Sequence, residues 1–152
     1  SSRYWFYFRR LFPIKGVLKM FKIKVEKFVK SDIDAVFNII SDHENYTNFP
    51  GVTGSVLLEH GIEEKNGKGA LRKINLGPIQ FIERIIHFEP PFRMVYQIEK
   101  ARPFPIIHEK GELILNSERE GTHITWTSIG NVAIPLIGLE GHLAFSTCRK
   151  AP

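Results

Sequence analysis

The sequence predicts an α+β fold: a seven-stranded antiparallel sheet curled around a C-terminal helix, with two short helices after the first strand. Three observations carry this expectation. Apolar and polar residues alternate with period two, in short runs separated by turn signals, from about residue 52 to residue 133. Before them, SDIDAVFNIISD places Ile33, Val36, Phe37 and Ile40 on one helical face. After them, Pro135 suits a first helical position, and Leu136, Leu139 and Leu143 follow at helical spacing.

The elements are read in order. FKIKVEKFV (Phe21–Val29) alternates apolar and charged residues, as a half-buried strand does. Ser31 is placed as the N-cap of the first helix, with Asp34 in the capping-box position. A second short helix spans His43 to Asn48 and stops at Pro50-Gly51. Strands follow at Val52–Glu59, Ala70–Leu76, Ile79–Phe88, Arg93–Glu99, His108–Asn116 and Thr122–Ala133. Asn66-Gly67 signals a tight hairpin, Gly77-Pro78 and EPPF (89–92) signal turns, and KARPFPI (100–106) reads as a loop. Gly138 and Gly141 weaken the last helix by roughly 1 kcal/mol each relative to Ala. A strongly twisted meander of this kind can curl around a helix and leave a pocket on its concave face.

A chain of 152 residues, 43% hydrophobic and 24% charged, suits one soluble domain with a real core. The net charge of +5 belongs to the leader. Arg3, Arg9, Arg10, Lys15 and Lys19 face no acid there, and the rest holds 16 basic and 16 acidic residues. Nucleic acid is therefore not an expected partner. The single cysteine, Cys148, allows no internal disulfide and no cysteine-based metal site, which fits a reducing, cytoplasmic setting.

The leader, residues 1–19, is aromatic and basic, and its longest apolar run is Tyr4–Phe8. That is far short of the ~20 residues of a membrane-spanning helix, and no signal-peptide pattern is present. It is read first as an extension upstream of a natural start at Met20, outside a single domain of residues 20–152. A membrane-interface segment and an extra folded element are the other readings.

Alternation assigns the strand faces. The concave face collects Ile124, Trp126 and Ser128; Glu109, Gly111, Leu113 and Leu115; Met94, Tyr96 and Ile98; and Ala70, Arg72, Ile74 and Leu76. In residues 79–88 both faces carry apolar residues; Phe81, Glu83, Ile85 and His87 form one set. His123 falls on the outer face, and His108, beside a loop, is expected in solvent. A charge on an apolar face is costly unless paired, so Arg72 should meet Glu83 or Glu109. Such a spot either orients a ligand carbonyl or hydroxyl or is a structural ion pair.

The six histidines show no metal spacing, no Gly-x-Ser-x-Gly elbow or phosphate loop occurs, and no cofactor is implied. Cys148 has no activating base nearby in sequence. Acid–base chemistry in a pocket would fall to Glu109, His87, Glu83 or Tyr96, none of them in a specific motif.

Three stretches, SDIDAVFNIISDHENYTNFPGV, IERIIHFEPPFRMVYQIE and GTHITWT, resemble the START-like (Bet v 1-like, SRPBCC) superfamily, nearest its polyketide cyclase/dehydrase and coenzyme Q-binding groups. The resemblance covers residues 21 to about 145 and rests on the order and spacing of the three. It implies a helix-grip fold with a hydrophobic cavity between sheet and C-terminal helix. The leader has no counterpart, and the segment from Pro135 to about Lys150 is short for that helix. The resemblance also places Tyr46 and Phe49 at the cavity mouth, as lining or as packing plugs.

The expected ligand-binding set is Phe37, Tyr46, Phe49, Arg72, Ile74, Phe81, Met94, Tyr96, Glu109, Leu113, Trp126, Leu139 and Leu143. The first functional expectation is binding, or transport, of a lipid, quinone or polyketide by a monomer or homodimer. A polyketide-type cyclase or dehydratase using Glu109 or His87 is the second. A carrier that docks on membranes through residues 1–19 is the third.

Overall fold

The computed structural model describes residues 16–135; most of the leader and the expected C-terminal helix, with Leu139, Leu143 and Cys148, lie outside them. The chain divides into two units, Ser1–Lys19 with Ala133–Pro152, and Met20–Val132. In the first, Gly16–Lys19 and Ala133–Pro135 are extended.

The order is β1 (Gly16–Val29), α1 (Ile33–Ser41), a 3-10 helix (His43–Asn48), β2 (Gly54–Glu59), β3 (Leu71–Leu76), β4 (Ile79–Glu89), β5 (Arg93–Arg102), β6 (Ile106–Glu118) and β7 (Gly121–Pro135). The strands form one seven-stranded antiparallel sheet in the order β1-β7-β6-β5-β4-β3-β2. Sequential strands joined by short turns pair with their neighbours, so β2 to β7 is a simple meander. The two helices carry the chain from one edge strand, β1, to the other, β2.

The helix is capped one residue later than expected. Asp32, not Ser31, is the N-cap, and its carboxylate accepts from Ala35 N–H at 3.0 Å. Ser31 instead offers its carbonyl to the Thr122 hydroxyl at 2.8 Å, which ties the start of the helix to β7. Val36, Phe37 and Ile40 turn inward to a core shared with Ile85, Met94, Tyr96 and Leu115. Phe37 packs on Phe88 with ring centroids 5.3 Å apart. Burying a side chain of this size contributes roughly 1.5–3 kcal/mol.

Other boundaries shifted. The Asn66-Gly67 signal sits inside a longer connection, residues 60–70, rather than forming a tight hairpin. Lys100–Arg102 extend β5 instead of opening the loop, and Pro135 ends β7 instead of starting a helix. Gly77 does turn β3 into β4, at φ 60°, where a side chain is disfavoured.

Candidate functional site

The polar spot expected on the concave face exists, and it is an ion pair. Arg72 on β3 and Glu83 on β4 are direct register partners. Arg72 Nε–H donates to Glu83 Oε2 at 2.8 Å, and Nη2 stands 2.7 Å from the same oxygen. Both residues are buried, at 3% and 6% exposed. On its other side Arg72 Nη1 donates to His43 Nδ1 at 3.0 Å. The opposite ring nitrogen of His43 then carries the proton and donates to the Asn66 carbonyl at 2.8 Å. The ring is thus held neutral. Burial, and next the Arg72 charge, push His43 from 6.5 down to about 4. The guanidinium lies between two aromatic faces, 4.6 Å from the Tyr46 centroid and 5.3 Å from that of Tyr96. Tyr46 is fixed by donating its hydroxyl proton to the Ile40 carbonyl at the end of α1.

A second chain of bonds ends on Tyr96. Ile98 N–H donates to His108 Nδ1 at 3.0 Å, so His108 Nε2–H donates to Ser128 Oγ at 2.9 Å. Burial lowers His108 to about 4, which keeps it neutral. Trp126 Nε1–H donates to the Tyr96 hydroxyl at 2.9 Å, and Ser128 hydrogen-bonds the same oxygen. Burial, and next the nearby Glu83 charge, raise Tyr96 to about 12, so the phenol stays protonated.

Both chains border a cavity of about 670 Å³. Of the residues expected to bind ligand, Tyr46, Phe49, Arg72, Ile74, Phe81, Tyr96, Leu113 and Trp126 stand on its wall. The wall also takes Glu83 and Ser128, and apolar residues from β1 (Phe21, Ile23), the loop after the 3-10 helix (Pro50, Val52) and the strand ends (Leu76, Ile106, Val132). Exposure rises along β3 from Arg72 (3%) through Ile74 (6%) to Leu76 (37%), so the polar cluster is at the buried end.

Five expectations are corrected. Glu109 is exposed and off the wall, because β6 bulges there. His108 pairs with Gly130 and Lys110 with Ile129, which leaves Glu109 as the extra residue. The same bulge turns His108 inward, to 4% exposed, where solvent was expected. A second bulge, at Ile86 of β4, puts His87 outside and brings Phe88 onto the core. Phe37 and Met94 are buried in the core and do not line the cavity. Leu139 and Leu143 lie outside the described residues. His43, His108 and Ser128 were not nominated for the site. Ser128 shared a face with Trp126 and was readable. For His108 the signal was a change of parity: the inward set is even at Ile106 and odd from Gly111, which requires a bulge between them.

Among the described residues no three or more His, Cys, Asp or Glu are grouped to hold a metal ion. No helix among them is long and apolar enough to cross a membrane.

An antiparallel seven-stranded sheet bearing an apolar cavity on its helix-covered face is a START-like architecture. The chain belongs to the family described as polyketide cyclase / dehydrase and lipid transport, whose profile matches residues 20–144. Among solved structures it is similar to a START superfamily protein from Mycobacterium smegmatis, with TM-score 0.60 and 16% identity over 85% of this chain and 88% of that one. It is also similar to the major latex-like protein of Panax ginseng, with TM-score 0.59 and 15% identity over 84% and 91%. The Zhui aromatase/cyclase from Streptomyces matches with TM-score 0.57 and 16% identity over 81% and 73%. At these identities the likeness is one of fold. No curated protein matches the sequence.

Proposed function

We propose that this protein binds a hydrophobic or amphipathic small molecule in the cavity, as a binding or carrier protein. The observation that carries the reading is the state of the cavity's ionisable groups. Arg72 is held by Glu83 and His43, and Tyr46 is spent on a backbone carbonyl. The wall's carboxylate, Glu83, is ion-paired with Arg72 through Oε2, and no histidine lines the cavity among the described residues, so proton abstraction at the ligand would have no base outside that ion pair. Apart from Glu83, Tyr96 and Ser128, the rest of the wall formed by the described residues is apolar or aromatic, in a volume typical of small-molecule sites. Burial of the ligand's apolar surface, at about 25 cal/mol per Å², supplies the affinity.

Native mass spectrometry of gently purified protein, followed by denaturation and organic extraction, tests this. A reproducible bound small molecule is expected. An empty protein that gains no thermal stability from lipids, quinones or polyketides would sink the reading.

A second reading, cyclase-type proton movement, is favoured by the His108–Ser128–Tyr96 chain, which ends on a cavity hydroxyl. Turnover of a linear polyketide that disappears in Tyr96→Phe while binding persists would select it.

A further inference from the structure

We infer that the ligand carries a neutral head that both donates and accepts a hydrogen bond, a phenol, enol or alcohol, and that it enters head first to rest between Tyr96 and Glu83. This rests on cavity binding and specifies its chemistry.

The inference comes from counting protons and lone pairs at the buried end. The Tyr96 oxygen already receives Trp126 Nε1–H and is hydrogen-bonded by Ser128. The Tyr96 and Ser128 hydroxyls bring two protons and share one bond, while Trp126 and His108 donate to them, so one hydroxyl proton is left without an acceptor among the described residues; with Ser128 donating to the phenol, it is that of Tyr96. Glu83 presents the complementary gap. Arg72 engages only Oε2, by both Nε and Nη2. Oε1 receives no hydrogen bond from the described residues, although Glu83 is only 6% exposed and lines the cavity. One unspent donor and one unspent acceptor thus face one buried space. A ligand that displaces water from that space must replace both bonds or lose them, and a ligand hydroxyl replaces both at once.

Charge excludes the obvious alternative, a fatty-acid-like carboxylate. Arg72 and Glu83 cancel, and the bonding of His43 and His108 keeps both rings neutral. A carboxylate would meet Glu83, and Arg72, the only cation on the wall among the described residues, is already paired, so burying the carboxylate is strongly unfavourable. An ether or ester head accepts from Tyr96 and leaves Glu83 Oε1 bare. The apolar wall from Ile74 to Leu76, with Phe49, Pro50 and Phe81, then receives the body of the molecule.

Three probes of one shape separate these heads: hydroxypyrene, methoxypyrene and pyrenecarboxylate. Each is titrated into the Trp5→Phe protein, in which Trp126 is the sole tryptophan, and energy transfer from Trp126 reports binding in the cavity. Hydroxypyrene should bind about tenfold tighter than methoxypyrene, the usual effect of one hydrogen bond to a charged group. Pyrenecarboxylate should bind more weakly still. Glu83→Gln, which keeps the shape and removes the charge, should gain about tenfold for pyrenecarboxylate. A gain of binding cannot come from a damaged fold, and if that variant fails to fold the wild-type ranking decides alone. Equal affinity for the hydroxyl and methoxy probes, or tight pyrenecarboxylate binding by wild type, overturns the inference and leaves cavity binding standing. No binding of any probe overturns both.

Discussion

Gly111 of β6 lies directly opposite Tyr96 of β5, and the Tyr96 ring occupies the space a β-carbon at position 111 would need. The ring therefore lies flat on the neighbouring strand. The ring also stacks with that of His108, at 5.7 Å and 22°, and carries the Arg72 guanidinium 5.3 Å from its centroid. In that position the hydroxyl reaches Trp126 Nε1. A glycine in mid-strand weakens a sheet in general, and here it sets the position of the cavity's main donor. Gly111→Ala should cost about 1–3 kcal/mol, as overpacking does. It should also shift Trp126 emission, since the indole loses its acceptor. Urea denaturation followed by fluorescence reads both; wild-type stability would show that the ring does not need that space.

The Arg72–Glu83 pair makes a prediction with an internal control. Removing one partner leaves the other buried without compensation, so Arg72→Met alone should destabilise by about 3–5 kcal/mol. Replacing both, as Arg72→Met with Glu83→Leu, should restore most of that, because apolar packing substitutes well for a buried pair. A double-mutant cycle in chemical denaturation measures the coupling. Additive losses would mean that the two charges do not depend on each other.

Much of this site was legible in the sequence, and the misassigned faces have one physical cause. Alternation put Arg72, Tyr96 and Trp126 on one face; it left the face of residues 79–88 open, and Glu83 entered as a carboxylate that a buried Arg72 should meet. It failed at Glu109 and His87 because a bulge inserts one residue and reverses parity, and bulges leave little trace in composition. His43 was missed for a different reason: its partners, Arg72 and the Asn66 carbonyl, are distant in sequence and meet only when the connection 60–70 folds over the 3-10 helix.

The corrected faces predict silence at two positions once nominated for catalysis. Glu109 and His87 are exposed. Glu109→Ala and His87→Ala should each change stability by less than about 0.5 kcal/mol. Probe affinity should also be unchanged. A tenfold loss of hydroxypyrene binding in either variant would place that residue back in the cavity.

The two buried histidines predict an acid-sensitive fold. Each has a folded value of about 4 against 6.5 for the free side chain, so between these values the unfolded chain binds the extra proton. Their contribution is complete above about pH 6.5, falls as the pH drops, and levels off below about 4. By pH 5 the loss is about 2 kcal/mol per histidine, before most carboxylates titrate. Urea midpoints at pH 7, 6 and 5 should therefore decline steadily. Burial alone lowers His108, whereas His43 also faces the Arg72 charge, with Asp42 opposing it. His108→Gln should thus remove about half of the slope whatever its effect on stability at pH 7. A midpoint that stays constant from pH 7 to 5 would show that both rings are protonated in the fold, and the bonds drawn to His43 Nδ1 and His108 Nδ1 would then be wrong.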